Sequence, residues 1–233
     1  MSEQQPTVHI LEGGFRPRPE QLAAYGKRHE EFMPTVISQP GFRETYGGPI
    51  ADGPWWFFAA KFDTLEDMER WHMHRAHTEV QDLARKTWWT AYYIRKGRLL
   101  APAESTTGTI LSETFILRDT PFSSDEQNHV QAALAQASGF SLVPYETVTG
   151  EQVQTPYVLS AVGIAPQQAP VHYVLLTYWR STADCLRWQG SDAHRQIASL
   201  GTVRSSLFVM IPERKSRMGL RADRMQREWV AKE

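Results

Sequence analysis

The sequence predicts an α+β protein made of two tandem copies of one β-α-β-β-α-β unit. Three observations predict it. The first is a repeat: residues 62–77 read FDTLEDMERWHMHRAH and residues 179–194 read WRSTADCLRWQGSDAH. Under a constant offset of 117 residues, Asp67/Asp184, Arg70/Arg187, Trp71/Trp188, Ala76/Ala193 and His77/His194 are identical. Self-similarity at a fixed spacing marks a duplicated unit. The second is length: 233 residues suit two small domains. The third is that both halves give the same order of strand and helix signals, the ferredoxin-like supersecondary pattern.

In the first half, Thr7 to Glu12 reads as a short strand, and Gly13, Gly14 and two prolines punctuate it. Residues 19–38 carry Leu22, Tyr25, His29, Phe32 and Met33 at helical spacing. Pro19 suits a first turn, and Pro34 is expected to kink or end the helix. Pro40-Gly41-Phe42 turns into a second strand, and Gly47 to Pro54 is a turn-rich connection. Trp55 to Phe62 is a dense aromatic strand. Thr64 is the N-cap candidate of a second helix, with Asp67 at its third position. Thr90 to Leu100 returns as the last strand.

The second half repeats this order. Thr109 to Leu117 is a strand, and Ser124 or Asp125 is the expected cap of a helix to about Ala137. Ser138-Gly139-Phe140 echoes Pro40-Gly41-Phe42, and His172 to Trp179 echoes Trp55 to Phe62. Ser181 to Leu200 is helical, and Ser205 to Ile211 is the last strand. Gly190-Ser191-Asp192 predicts a helix break with a new N-cap, so by the offset His77 opens a fresh helical turn. Phe42 to Phe62 spans 20 residues and Phe140 to Trp179 spans 39, so the second copy carries an insertion, read as a longer hairpin near 145–165. The expected domains are 1–103 and 107–212, followed by a helical tail over 213–233.

Composition narrows the function. Apolar content is 41% with eight Trp, enough for two cores. Net charge is −1, which gives no electrostatic footprint for nucleic acid or an anionic membrane. The single Cys185 excludes an internal disulfide and a cysteine zinc cluster and suits a reducing compartment. No apolar run is long enough to span a bilayer. The opening MSEQQPTV has no secretory pattern, so a cytoplasmic location is expected.

The chemical signal is aromatic and histidine density in the first half. Trp55 and Trp56 lie on one strand, Trp71, His72, His74 and His77 on one helical region, and Trp88, Trp89, Tyr92 and Tyr93 at the last strand. Aromatic walls with a few polar groups suit an apolar ring ligand. A residue kept in both copies suits a structural role, so the residues special to one copy carry more functional weight. The second half has Gln189-Gly190-Ser191 where the first has His72-Met73-His74. Three histidines invite a metal, but His72 and His74 diverge on a helix and no H-E-x-x-H pattern occurs, so no metal site is predicted. G-x-S-x-G, G-x-G-x-x-G and P-loop patterns are absent from the sequence.

Pro40-Gly41-Phe42, Phe57 to Phe62 and Trp71 with His77, and then Gly139-Phe140, Tyr173 to Trp179 and Trp188 with His194, resemble the antibiotic biosynthesis monooxygenase group of the dimeric α/β barrel superfamily. The resemblance implies that the two antiparallel sheets pack together as an intramolecular dimeric α/β barrel. It implies a small monooxygenase oxidising an aromatic, polyketide- or quinol-like substrate with O2 and no tightly bound cofactor, heme or flavin being left open. It carries over Trp71 as a pocket Trp. For a heme-degrading relative the axial histidine falls one turn beyond His77, where this chain has Gln81. The expected site has Trp71, His74, His77 and Tyr92 as catalytic candidates, and Trp55, Arg70, His72, Trp88 and Trp89 as substrate-binding candidates. The alternatives are a heme-binding or heme-degrading protein and a non-catalytic ligand-binding or structural protein. A homodimer of the whole chain stays open.

Overall fold

The structure is a computed structural model that describes residues 7–51, 53–143, 145–146, 152–153, 157–161 and 171–211. The predicted tail over 213–233 lies outside the described residues.

Strand β1 (His9–Pro17) runs straight through Gly13 and Gly14, which were expected to end it. The reason is packing. A Cβ at Gly13 would lie 2.6 Å from the Phe58 ring, and one at Gly14 would lie 2.5 Å from the Tyr93 ring. Rings pinch the strand from both faces, so glycine is needed without a turn. A short turn at Pro19–Gln21 leads into helix α1 (Leu22–Ile37). Pro34 lies inside this helix, which continues for three more residues. Strands β2 (Phe42–Pro49) and β3 (Trp56–Phe62) follow. Then come helix α2 (Leu65–His72), helix α3 (Arg75–Leu83), a single π turn at Ala84–Trp88 and strand β4 (Trp89–Leu99).

The second half gives β5 (Thr107–Arg118) and α4 (Ser124–Gln136). The cap of α4 is Ser123, one residue before the expected Ser124, because Ser123 and Glu126 form a reciprocal capping box. The insertion holds β6 (Tyr145–Glu146) paired with β7 (Gln152–Val153). Strand β8 (Tyr157–Ala161) does not join that hairpin but pairs with β9 (Val171–Ser181) in the main sheet. Helices α5 (Thr182–Gln189) and α6 (Asp192–Ala198) and strand β10 (Thr202–Met210) complete the described chain.

The main sheet has eight strands in the order β2-β3-β1-β4-β10-β5-β9-β8. All neighbours are antiparallel. The end strands β2 and β8 lie against one another, so the sheet curls back on itself. This α+β arrangement is consistent with ferredoxin-like and dimeric α/β barrel folds. One apolar cluster fills the concave side and draws Ile10, Phe57 and Tyr93 from the first half and Phe115, Leu176 and Phe208 from the second. The other clusters lie between the sheet and the helices of each half.

The concave side also holds charges. Glu12 and Glu113 are fully buried and Lys61 is nearly so. Lys61 Nζ donates to Glu113 Oε2 at 2.5 Å and to Glu44 Oε1 at 2.8 Å. Tyr178 donates to Glu12 Oε2 at 3.4 Å. Glu12 stands opposite Ala59 and Glu113 opposite Leu176, residues 117 apart, so the two glutamates hold equivalent places in their halves. Lys61 and Tyr178 are also 117 apart. The residue at this place in each half therefore reaches the glutamate of the other half.

Candidate functional site

The repeated residues build a corner between two helices. Thr64 Oγ1 accepts the Asp67 N–H at 3.1 Å, and Ser181 Oγ accepts the Asp184 N–H at 3.1 Å. Arg70 bonds Asp67 Oδ1 at 2.7 Å, and Arg187 bonds Asp184 in the same way. Trp71 and Trp188 are buried at 3% and 1% exposure under their helices. His77 Nδ1 lies 3.3 Å from the His72 carbonyl oxygen. His194 bonds the backbone of Gln189, which stands 117 residues beyond His72. Ser191 caps α6 by accepting the His194 N–H at 3.2 Å. Each shared polar residue thus has a local structural task.

The first half departs from this pattern at two places. His74 is the N-cap of α3 but makes no side-chain cap bond. Its ring stacks on Trp71 instead, at 5.9 Å between centroids and 27° between planes. Its Nδ1 is buried with no hydrogen-bond partner among the described residues. The second departure is Gln81, whose Nε2 lies 3.2 Å from His77 Nε2. A carbonyl oxygen only accepts, so His77 Nδ1 carries the proton toward His72 and Nε2 accepts from the Gln81 amide. Burial pushes the His77 pKa down to about 4 despite that bond to His72. The neutral ring lies flat on Trp71, 4.4 Å away at 15°.

A second aromatic group adjoins the first. Phe15, Trp88, Trp89 and Tyr92 cluster with the partly buried Tyr25, Trp56 and Phe58, and Ile94 touches both groups. Trp89 stacks on Phe15 at 5.0 Å, although regular alternation along β4 would put it on the same side as Ala91 and Tyr93 of the concave cluster. A register shift between Arg16 and Pro17 accompanies this. The buried Arg85 guanidinium lies 5.8 Å from the Tyr92 ring and pairs with Asp82.

Helix α1 covers these rings loosely. Val36 is its only buried residue. In the second half α4 packs closely on α6 and buries Val130, Ala133 and Leu134, whereas α1 and α3 barely meet. The side chains of Tyr25 and Phe32 reach from α1 to the rings beneath it, Phe32 lying 5.4 Å from Trp71 of α2 and Tyr25 5.8 Å from Trp88 of the π turn. In the second half the fully buried Trp179 stands where the first half has the smaller, equally buried Phe62, and stacks on Trp188 at 6.2 Å.

The predicted site residues are thus only partly brought together. Trp71, His74 and His77 form one stack, with the His72 ring 5.5 Å from His77. Trp88, Trp89 and Tyr92 form the neighbouring group. Trp55 belongs to the concave cluster on the other face of the sheet, 6.0 Å from Tyr93. Arg70 is 48% exposed and paired with Asp67 and Glu66. The open groove lined by Leu117, Arg118, Asp119 and Ser199 contains none of these residues. Sequence reasoning passed over Arg85, the Gln81 contact, and the buried Glu12, Lys61 and Glu113. For Glu12, Lys61 and Glu113 the signal is a single charged side chain within an otherwise apolar stretch, whereas Gln81 and Arg85 lie in a polar helical stretch that carries no such signal.

No family model matches the chain, and no curated protein matches it. Among solved structures it is similar to an aldoxime dehydratase, with a TM-score of 0.53 at 9% identity over 90% of this chain and 83% of that one. An aldoxime dehydratase in complex with butyraldoxime gives a TM-score of 0.51 at 9% identity, over 88% of this chain and 79% of that one. These two likenesses show a shared fold. An anthrone oxidase-like protein matches 91% of this chain and 94% of its own length at 13% identity, but its TM-score of 0.35 carries no weight. Among the described residues, no helix is long and apolar enough to cross a membrane.

Proposed function

We propose that the chain is a small oxygenase whose working crevice lies in the first half, between α1, α3 and the sheet. The substrate class is a planar, electron-rich phenol or quinol of the anthrone type. The chain is read as two tandem units, 1–103 and 107–212, with the second serving as structural partner. The crosswise contacts of Lys61 with Glu113 and of Tyr178 with Glu12 support that division.

One observation carries the functional reading: the first half gives up close helix packing and a good helix cap exactly where its aromatic and imidazole groups collect. Local rules broken without a structural gain point to function. Tyr25 and Phe32 act as the gate, swinging aside for the ring. His74 Nδ1, buried beside Trp71, accepts the phenolic proton. The substrate anion then gives an electron to O2, and the protein's part is to exclude water, hold the ring and stabilise charge. Arg85, held beside Tyr92 by its pairing with Asp82, supplies oriented guanidinium donors.

Heme fits the residues less well. Gln81 stands at the axial place that the resemblance implies, and both ring nitrogens of His77 are engaged. The test is oxygen uptake with anthrone or a hydroquinone. Uptake by the wild type, reduced at least about a hundredfold in His74→Ser and lowered in Trp71→Phe, is expected. No uptake and no binding of either ring would end the proposal. A Soret band on heme addition, abolished in His74→Ala, would favour the heme reading.

A further inference from the structure

We propose that Gln81 is a positioning residue that holds His77 flat on Trp71 in one neutral tautomer, so that the first-half crevice offers a planar plate to a flat aromatic ring. The role of the plate rests on the oxygenase reading above; the positioning does not.

The chain contains its own control. His77 and His194 stand 117 residues apart, in the same corner and with the same ring-to-backbone bond, to His72 and Gln189 respectively. Trp71 and Trp188 are the matching partners. The residue four places after each histidine differs: Gln81 in the first half, Ala198 in the second. On a helix that residue lies directly beside the ring. With glutamine, His77 lies 4.4 Å from Trp71 at 15°. With alanine, His194 stands edge-on to Trp188, 5.8 Å away at 81°. His194 Nε2 is buried and has no hydrogen-bond partner among the described residues, whereas His77 Nε2 has Gln81. Gln81 itself is buried, so its amide is held in place. Phe32 lies nearly parallel to His77, 6.3 Å away at 22°, and extends the plate toward α1.

The same bond accounts for the tautomer. His72 offers only a carbonyl oxygen, so the proton sits on Nδ1, and the Gln81 N–H then needs Nε2 as acceptor. A protonated ring would place two donors face to face. In the amide orientation seen here Gln81 offers a protonated ring no acceptor, while burial itself holds the His77 pKa down.

The experiment is long-range proton–nitrogen NMR of the imidazoles in the full chain, across pH, for wild type, Gln81→Ala, Gln81→Glu and Ala198→Gln. In the wild type His77 is expected to show the Nδ1-protonated form with no titration near neutral pH. Gln81→Glu places an acceptor opposite Nε2 and is expected to raise the proton affinity of His77 by at least about tenfold. Gln81→Ala is expected to remove the strong ring-current shift from Trp71. Ala198→Gln is expected to give His194 a shift like that of His77. Unchanged His77 tautomer, titration and ring-current shift in both Gln81 variants would overturn the proposal, and either variant alone decides it if the other does not fold. Binding of anthraquinone, an inert planar probe, is read separately. It is expected to weaken about tenfold in Gln81→Ala. Moved spectra with no probe bound by the wild type would leave the positioning standing and count against the oxygenase reading. A wild type that binds and oxidises anthrone while the variant spectra stay fixed would do the reverse.

Discussion

His74 occupies a place where serine is the better residue. Ser191, its counterpart, accepts a backbone N–H and closes the first turn of α6, while His74 leaves that place at α3 unfilled. A serine cap contributes about 1 kcal/mol. His74→Ser is therefore expected to stabilise the protein by about that amount in urea unfolding while lowering oxygen uptake and ring binding. A loss of stability with unchanged activity would show that the imidazole serves packing alone. His77 gives a second test. Its folded pKa of about 4 lies below the ordinary 6.5, so the unfolded chain binds the extra proton between those values. Stability is unaffected by this group above pH 6.5 and falls as pH drops toward 4, by on the order of 3 kcal/mol. Urea midpoints from pH 7 to 4 in wild type and His77→Phe should diverge only on the acid side. The histidines were legible in the sequence as a group. Which of them would keep an open ring nitrogen was not, because that depends on Gln81 and on the helix break at His74.

The element scale shows how far a repeat can be trusted. Both halves place Gly-Phe after the first helix, and the echo suggested one shared turn. The backbone differs. Gly41 has φ +67°, and a Cβ there would collide with the Asp67 carboxylate. Gly139 has open space around it and lies in a short helical turn; the left-handed residue at this turn is Ser141, at φ 71°. Gly41→Ala is expected to cost more than about 1 kcal/mol, and Gly139→Ala to be nearly neutral. Ser141→Gly should add up to about 1 kcal/mol, since a non-glycine residue pays for that conformation. Thermal melts of the three variants check the order. The helix and strand order of both halves was legible because periodicity and caps are local signals. The role of Tyr157 to Ala161 was not, since a short Val- and Tyr-rich stretch suits either a hairpin arm or the end strand of a larger sheet.

Across the whole molecule, the two halves meet through buried charge. Glu12 and Glu113 appear in the sequence as lone acids in apolar strands, and alternation places each on the side away from the helices. Their partners are not legible there, because Lys61 reaches Glu113 only once strands from both halves face the same interior. The two acids then sit in unlike surroundings. Glu113 has the Lys61 ammonium within hydrogen-bond reach, yet burial and the nearby Glu44 carboxylate still push its pKa well above the ordinary carboxylate value. Glu12 has a phenol at 3.4 Å, with Arg95 opposite it on β4. Burial raises its pKa to about 7, against the smaller opposing pull of Arg95. The sign follows from the protons. Between pH 4.5 and 7 the folded chain holds a proton on Glu12 that the unfolded chain has released. Stability is therefore complete below pH 4.5 and is lost as pH rises through 7, by on the order of 3 kcal/mol. Glu12→Gln keeps an acceptor for Tyr178 and cannot ionise. It is expected to match the wild type near pH 4.5 and to exceed it increasingly up to pH 8. Urea midpoints across that range decide the matter: a constant difference between the two proteins would mean that Glu12 is ionised in the folded protein throughout, and that Arg95 rather than burial governs it.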